Sequence, residues 1–185
     1  MIPKDVLVID NIINQQEQKH IKDNLLSSNF PWYFVKDITT GKEGGQNRPA
    51  LQHIYFQNKK ENSLYCGLTN NIIKNSCEKI KKTSYKIVKS RSFLQFPILH
   101  NSQIDTPHID LLSKHIVILY YVLDSDGDTV IYNYKSKKIP AFNKLKEKIR
   151  VTPKQGRVVI FNGLAWHTAE QPSRNVRCVT NVNLV

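Results

Sequence analysis

Cysteine is scarce in this sequence, and no long apolar run occurs in it. The three cysteines, Cys66, Cys77 and Cys178, show no C-x-x-C spacing, so they predict free thiols in a reducing compartment rather than disulfides or a thiolate metal site. No apolar stretch approaches the ~20 residues that span a bilayer, and the first residues lack the basic-then-apolar order of a signal peptide. We therefore expect no membrane association and a cytoplasmic location, or the host cytoplasm if the source is a virus.

Acidic residues are also under-represented, since 15 Asp and Glu stand against 27 Lys and Arg, which gives a formal net charge of +12. Such an excess can bind an anionic partner, so nucleic acid is one candidate. No aromatic residues alternate with the cations at the spacing that base stacking needs, which disfavours single-strand binding. The excess is concentrated in a basic patch formed by Lys135, Lys137, Lys138, Lys144, Lys146, Lys148, Arg150, Lys154 and Arg157.

The 185 residues, 40% of them hydrophobic, are enough for a single domain spanning 1–185 with one sizeable core. Apolar residues at helical spacing predict helices at 14–26 and 63–82, within an N-terminal supporting part of about residues 1–82. From about 85 to 185, short runs rich in Val, Ile and Tyr predict strand after strand. The predicted fold class is mainly β with flanking helices, and a double-stranded β-helix (jelly-roll) core fits best.

Two connecting segments have distinctive patterns. Residues 124–128 (D-S-D-G-D) begin like a calcium-binding EF-hand loop, but Lys135 stands where that loop needs a carboxylate, so we predict a hairpin turn. Residues 36–48 carry three glycines without apolar periodicity, which predicts a loop able to cover a substrate. Trp32 and Trp166 are candidate apolar walls of a binding site, and an ordinary core position explains Trp32 at least as well.

The residues that carry chemistry are two histidines, a carboxylate and an arginine near strand-like runs. His108 and Asp110 are two positions apart, so on an extended segment both side chains face the same way. His167 follows a second apolar run, and a third run begins at Arg177. Two imidazoles and a carboxylate are the ligand set of a non-haem Fe(II) site with open positions. A planar guanidinium on a strand suits bidentate binding of a carboxylate.

Three stretches of the chain resemble the Fe(II)/2-oxoglutarate-dependent oxygenases, and within them the prolyl-hydroxylase-like branch. They are T-P-H-I-D-L (106–111), I-L-Y-Y-V-L-D-S-D-G-D-T-V-I-Y (118–132) and the stretch 156–184, which begins G-R-V-V-I-F-N-G-L-A-W-H. The resemblance implies that His108, Asp110 and His167 bind Fe(II) and serve catalysis. It also implies that Arg177 and Tyr121 bind the cosubstrate 2-oxoglutarate, with O2 as the third reactant and ascorbate as a stimulant.

By the same resemblance, the reaction is C–H hydroxylation coupled to decarboxylation of 2-oxoglutarate to succinate. The implied substrate is a protein, a peptide or a small molecule, and a peptidyl proline is one candidate.

Several alternatives stay open at this point. Arg174 is the rival to Arg177 as carboxylate anchor, although it lies in a turn-like stretch. Such enzymes often carry a tyrosine in the strand before H-x-D, and Phe96 stands there, so Gln95 or Arg91 becomes the candidate polar group. Two other functions compete: a cupin-like metalloenzyme without 2-oxoglutarate, and a non-catalytic β-helix protein with a vestigial metal site that binds nucleic acid.

Overall fold

The computed structural model describes residues 2–39, 47–98 and 104–185. Within these residues the chain forms two α-helices and eleven β-strands. In chain order they are β1 (Leu7–Ile9), α1 (Gln15–Leu25), β2 (Tyr33–Val35), β3 (Ala50–Gln57), β4 (Lys60–Glu61), α2 (Asn70–Lys79), β5 (Ile87–Gln95), β6 (Ile116–Tyr121), β7 (Thr129–Lys135), β8 (Glu147–Val151), β9 (Val158–Asn162), β10 (Ala165–Ala169) and β11 (Arg177–Leu184).

The strands form two antiparallel sheets that face each other. The larger has the order β1-β9-β6-β11-β5-β3-β2, with β4 paired to β3, and the smaller has the order β10-β7-β8. Alternation along β6 divides the apolar residues between two cores. Val117 and Leu119 belong to the core between the sheets, while Ile118 and Tyr120 belong to the core under the helices. The predicted β fold with flanking helices and a jelly-roll core is confirmed.

The N-terminal part of the chain, about residues 1–82, holds both α-helices and also contributes β1 to β4 to the larger sheet. β1 pairs with β9, and β3 pairs with β5, so this part adds strands at both ends of the sheet. Besides the helical support that the sequence predicts, this part therefore supplies strands to the sheet, and β1, β2 and β3 lie where apolar runs at 6–9, 30–35 and 51–56 predict extended segments.

The first helix follows the sequence pattern, and the second starts later than predicted. Asn14 caps α1 in a capping box, accepting from the N–H of Glu17 at 2.9 Å while its own N–H donates to the Glu17 carboxylate. The predicted helix at 63–82 narrows to α2, preceded by a 3-10 turn over Cys66–Thr69. Leu64, which the predicted apolar stripe includes, is fully exposed outside the helix.

The prediction of a hairpin turn at residues 124–128 is wrong. β6 already pairs with β9 and β11 on its two edges, so β7 cannot pair with it and enters the smaller sheet instead. Residues 124–128 therefore carry the chain from β6 in the larger sheet to β7 in the smaller one. The Asp126 carboxylate accepts backbone N–H groups from Ser173, Arg174 and Asn175 and fixes this corner against the start of β11.

Two further predictions concern the whole chain. Among the described residues, no helix is both long and apolar enough to cross a membrane. The three cysteines are free thiols, as predicted, and two of them, Cys77 and Cys178, are buried in the core under the helices.

Candidate functional site

Two histidines face each other across an antiparallel bridge that extends the smaller sheet. The backbone N–H of His108 donates to the carbonyl of His167 at 2.9 Å, and the N–H of His167 donates back at 3.0 Å. A bridge of this kind points both side chains to one face, and the two ring centroids lie 4.7 Å apart. Pro107 favours the extended backbone that the bridge needs at its N-terminal side.

Asp110 completes the cluster from the same segment. Its Oδ1 lies 3.8 Å from His108 Nε2, and the candidate ligand atoms of the three residues lie within 4.8 Å of one another. The amides of Asn181 and Asn183 donate to Oδ2 at 3.1 and 2.8 Å, and Arg91 Nη2 lies 3.3 Å from Oδ1. The carboxylate is thus oriented by β11 and β5, and the structure brings the three predicted ligands together.

Hydrogen bonds to the backbone orient both rings. His167 Nδ1 lies 3.0 Å from the carbonyl of Ala165, and His108 Nδ1 lies 3.3 Å from that of Thr106. A carbonyl can only accept, so each Nδ1 carries the proton and each Nε2 presents a lone pair. Metal ligation through Nε2 requires this tautomer.

The electrostatics of the cluster favour neutral histidine beside ionised carboxylate. Burial, followed by repulsion from His108, lowers the pKa of His167 to about 4. Burial alone would raise the pKa of Asp110, but the two neighbouring imidazoles, the charge of Arg91 and the amide of Asn183 hold it below the usual range of a carboxyl. The donor set is therefore two imidazole nitrogens and one carboxylate oxygen, which fits Fe(II) and leaves coordination positions open.

The lowered pKa of His167 predicts an acid-sensitive fold in the metal-free protein. Unfolded histidine titrates near ~6.5, so between pH 6.5 and 4 the unfolded chain takes up a proton that the folded chain refuses. The free energy of unfolding should fall by on the order of 3 kcal/mol as the pH falls through this window, and His167 should add no pH dependence above it.

The check is to compare melting of the metal-free wild type and His167→Gln from pH 7 to 4.5, because all other acidic groups are shared by the two proteins. Wild type should lose more stability than the variant on acidification. Parallel curves for the two proteins would contradict the buried neutral imidazole.

Arg177 opens β11 at the other end of the same cavity, and its side chain is only 3% exposed. Its Nε donates to the carbonyl of Gly127 at 2.9 Å, one Nη to Gln95 Oε1 at 2.6 Å and the other to Thr129 Oγ1 at 2.8 Å. These acceptors are all neutral, and no carboxylate of the described residues forms an ion pair with this guanidinium. A guanidinium has five N–H donors, so two remain for an anion.

The other predicted anchors occupy different places. Tyr121 is fully buried with its ring 5.9 Å from Arg177 Cζ. Within the described part of the chain its hydroxyl makes no hydrogen bond of normal geometry, although Thr129 is a polar neighbour. Arg174 is exposed and pairs with Asp126 on the outside at 3.7 Å, so it does not reach the cavity. Of the two arginines, Arg177 is the one that lines the cavity.

Gln95, one of the two residues named as a polar alternative to Phe96, lines the cavity beside Arg177. Phe96 is about half-exposed just beyond the end of β5, whereas Gln95 is buried, lines the cavity and bonds Arg177. The Nε2 of Gln95 is buried without a hydrogen-bond partner among the described residues. A free donor beside Arg177 adds to the evidence that an anion belongs at this end of the cavity.

Sequence reasoning missed the supporting residues on the strands. Asn181 and Asn183 were not assigned to the carboxylate, and Thr129 was not assigned to the arginine. A signal was present, because Arg177, Asn181 and Asn183 are separated by even numbers of residues and therefore share one face of β11. Polar residues on the inward face of a buried strand are a sign of a site.

Gly127 lies where Arg177 needs room. A Cβ built on it would lie 2.7 Å from the carbonyl of Glu170 and 3.0 Å from Arg177 Cδ. Gly127→Ala should therefore lower the free energy of unfolding by about 1–3 kcal/mol. By shifting the guanidinium, it should also weaken, on the order of tenfold, the binding of 2-oxoglutarate that the sequence resemblance implies. Thermal melting and titration with 2-oxoglutarate measure both effects.

The matched control is Gly67→Ala, because no atom lies within 4 Å of a Cβ there. This variant should melt and bind 2-oxoglutarate like wild type. If Gly127→Ala behaved like Gly67→Ala, the proposed contact between residue 127 and the arginine would be wrong.

A cavity of about 250 Å³ connects the two ends of the site. Its wall includes Phe93, Leu119 and Phe161, so the middle is apolar while the ends are polar. Trp32 and Trp166 do not line it: their indole N–H groups donate to the carbonyls of Leu25 and Ser136, away from the cavity. The prediction of apolar tryptophan walls is therefore wrong.

The loop predicted at 36–48 is described only in part, because residues 40–46 lie outside the described residues. His100 also lies outside them.

Four of the nine cations of the basic patch form ion pairs with neighbouring acids. Lys148 pairs with Asp5 at 3.0 Å and Arg157 with Asp10 at 2.6 Å. Arg150 pairs with Glu147 and Glu170, and Lys154 with Asp10. Such pairing reduces the positive field that nucleic-acid binding depends on, so this surface gives the nucleic-acid hypothesis no support.

Comparison with known proteins gives structural relatives only. No protein family matches the chain by sequence, and no curated protein matches it either. The alpha-ketoglutarate (2-oxoglutarate)-dependent non-haem epimerase SnoN of nogalamycin biosynthesis matches with a TM-score of 0.68 at 10% identity, over 97% of this chain and 78% of that one.

Two prolyl hydroxylases also match over 97% of this chain. The viral collagen prolyl hydroxylase of Paramecium bursaria Chlorella virus-1, in a 2-oxoglutarate complex, has a TM-score of 0.58, 12% identity and 94% of its chain covered. The prolyl hydroxylase of Trichoplax adhaerens, with a hypoxia-inducible-factor peptide, has a TM-score of 0.62, 14% identity and 82% covered. At such identities the likeness concerns the fold, and the chain has the fold of the 2-oxoglutarate- and Fe(II)-dependent oxygenases, prolyl hydroxylases among them.

Proposed function

We propose that the protein is an Fe(II)- and 2-oxoglutarate-dependent dioxygenase that hydroxylates a C–H bond of its substrate. The observation that carries the proposal is the pairing of two features in one cavity. One end holds the cluster of two histidines and a carboxylate, and the other end holds a buried guanidinium whose described partners are all neutral. A cavity with a metal-binding end and an anion-binding end suits a keto acid that also carries a second carboxylate.

The residues would divide the work between them. His108, Asp110 and His167 would hold Fe(II), with the two Nε2 atoms and the ionised carboxylate as ligands. Arg177 would bind the distal carboxylate of 2-oxoglutarate in a bidentate pair, and the free Nε2 of Gln95 adds a further donor beside it.

Neighbouring groups would complete this end of the cavity. Thr129 and the carbonyl of Gly127 fix the direction of the guanidinium, and the buried hydroxyl of Tyr121 is a further group for the same anion.

The metal and its cosubstrate, when bound, supply the oxidising chemistry, in which 2-oxoglutarate is converted to succinate and carbon dioxide while one atom of O2 enters the substrate. The protein's own part is to orient the reactants and to exclude water. The apolar middle of the cavity, with Phe93 and Phe161, performs the second task.

The identity of the substrate is a separate and more specific proposal. The two prolyl hydroxylases among the structural relatives make a peptidyl proline one candidate. The epimerase among them acts in the biosynthesis of a small molecule, so a non-peptide substrate is the other.

The direct test is anaerobic addition of Fe(II) and 2-oxoglutarate to metal-free protein, watching for the visible charge-transfer band from iron to the keto acid. A band that saturates with one equivalent of each supports the proposal, and admission of O2 should then yield succinate. Iron binding without a band would favour a cupin-like metalloenzyme. No iron binding would contradict an enzyme of either kind.

A further inference from the structure

Arg91 is a second arginine in the same cavity, at the metal end. It lies on β5, two residues before Phe93 and four before Gln95, so the three side chains share the inward face. The guanidinium stacks over the Phe93 ring, with Cζ 4.8 Å from the ring centroid. This stacking holds the plane of the guanidinium and leaves its edge to the cavity.

The donors of Arg91 are mostly unused. The only described hydrogen bond of its guanidinium runs from Nη2 to Asp110 Oδ1, and at 3.3 Å it is long for a charge-assisted bond. Its Nε is buried without a hydrogen-bond partner among the described residues. A buried N–H without a partner is costly, so these donors are placed for an acceptor that the chain itself does not supply.

The other charges around the cavity do not provide that acceptor. Asp37 accepts from Thr39 and from the backbone N–H of Asn47. Asp105 accepts from Arg48 and Gln171. These are the acids that line the described cavity besides Asp110.

A further cation adds to the positive charge. Lys89 lies two residues before Arg91 on the inward face of β5 and is itself partly buried. The metal end thus has more positive than negative side chains.

Binding of Fe(II) and 2-oxoglutarate would increase this excess of positive charge at the metal end. The inference rests here on the proposed function. The two positive charges of Fe(II) and the one of Arg177 are balanced by Asp110 and the two carboxylates of 2-oxoglutarate. Asp110 is then committed to the metal, so Arg91 is left as a positive charge without a counterion in a cavity that excludes much of the solvent. Such a charge is costly unless an anion joins it.

We infer that Arg91 binds an anionic group of the substrate and thereby determines which substrates are oxidised. The group is a carboxylate, sulfonate or phosphate that can accept two N–H donors from a planar guanidinium. The C–H bond that reacts is then close to this group, because Arg91 touches a metal ligand. A peptide substrate would meet the requirement with an acidic residue or a terminal carboxylate beside the oxidised residue, whereas a neutral internal segment would not.

The test uses a pair of small probes of the same shape, methanesulfonate and the neutral dimethyl sulfone, with ionic strength matched by sodium chloride. Each is added at ~0.1 M to the anaerobic protein loaded with Fe(II) and 2-oxoglutarate, and the charge-transfer band confirms loading. Methanesulfonate should raise the melting temperature by about 3–6 °C over dimethyl sulfone, as expected for a ligand that binds in the ~10 mM range. Propionate and methyl phosphate, tested in the same way, tell which anionic group the site prefers.

The variants are Arg91→Gln, Arg91→Lys and, as a control, Lys137→Gln in the exposed basic patch. Arg91→Gln should lose the shift, Arg91→Lys should keep part of it, and the control should keep all of it. The inference is overturned if loaded wild type shows no shift or if Arg91→Gln keeps it, and the proposed function then still stands.

If Arg91→Gln loses the band itself, the residue positions Asp110 and is not a substrate site. If wild type shows no band, the proposed function fails and this inference fails with it.

Discussion

Replacing Arg177 with glutamine should weaken 2-oxoglutarate binding by on the order of 100-fold or more while Fe(II) still binds. The reason is that a buried guanidinium, whose described partners are all neutral, would be the partner of the distal carboxylate. Truncating one member of a buried charge pair typically costs roughly 2–5 kcal/mol. The charge-transfer band should disappear at 2-oxoglutarate concentrations that saturate wild type, and titration of the band gives the affinity.

The matched control is Arg174→Gln, only three residues away. Arg174 is exposed and pairs with Asp126 on the outside of the fold, so its loss should leave the band and its titration unchanged. Arg177→Gln also removes a donor from Gly127, Gln95 and Thr129, so melting curves are needed to show that the variant is folded. Arg177→Lys, which keeps the charge but not the planar fork, should bind with intermediate affinity. If Arg174→Gln and Arg177→Gln weakened the band equally, the assignment of the anchor would be wrong.

The ligand cluster could be predicted from the sequence because two of its three residues are close together in the chain. Residues two apart on an extended segment share a face, so His108 and Asp110 needed no knowledge of distant contacts. His167 and Arg177 were found through their place beside strand-like runs, and the structure brings the first of them to the cluster and the second to the far end of the cavity. The fold class followed from the same runs.

The parts that failed depend on strand register and sheet partners. Gln95 rather than Phe96 faces the cavity because β5 pairs with β11 so that Gln95 lies opposite Arg177. A shift of one residue in register would exchange the two faces of the strand, and the sequence of one strand does not determine that register. Residues 124–128 were taken for a hairpin for a similar reason, since their turn-like composition does not tell which sheet the next strand joins.

Supporting side chains are hard to find for a further reason. Asn181 and Asn183 reach Asp110 across 71 and 73 residues of sequence, and a lone asparagine in a strand has no spacing rule that names its partner. Their place opposite the carboxylate is a property of the two facing sheets. The same holds for Arg91, whose hydrogen-bonded partner Asp110 is 19 residues away in sequence.

His108→Ala should lower Fe(II) affinity by at least 100-fold, the largest effect expected of any metal-site substitution that leaves the fold intact. Loss of a residue that only orients a ligand already costs roughly 10–100-fold, and His108 would be a ligand itself. Its side chain is about half-exposed, so truncation leaves no large cavity. Anaerobic titration with Fe(II), or with Co(II) as a coloured substitute, gives the affinity.

His20→Ala is the matched control, because His20 is another exposed histidine but lies on α1, away from the cluster. It should bind metal like wild type. Asn183→Ala, which removes one amide from Asp110 Oδ2, should fall between the two with a loss of about tenfold. This order of metal affinities distinguishes a metal centre from a chance cluster of side chains. If the cluster held no metal, His108→Ala, Asn183→Ala and His20→Ala would give the same titration curve. The proposed dioxygenase would then lack its reactive centre.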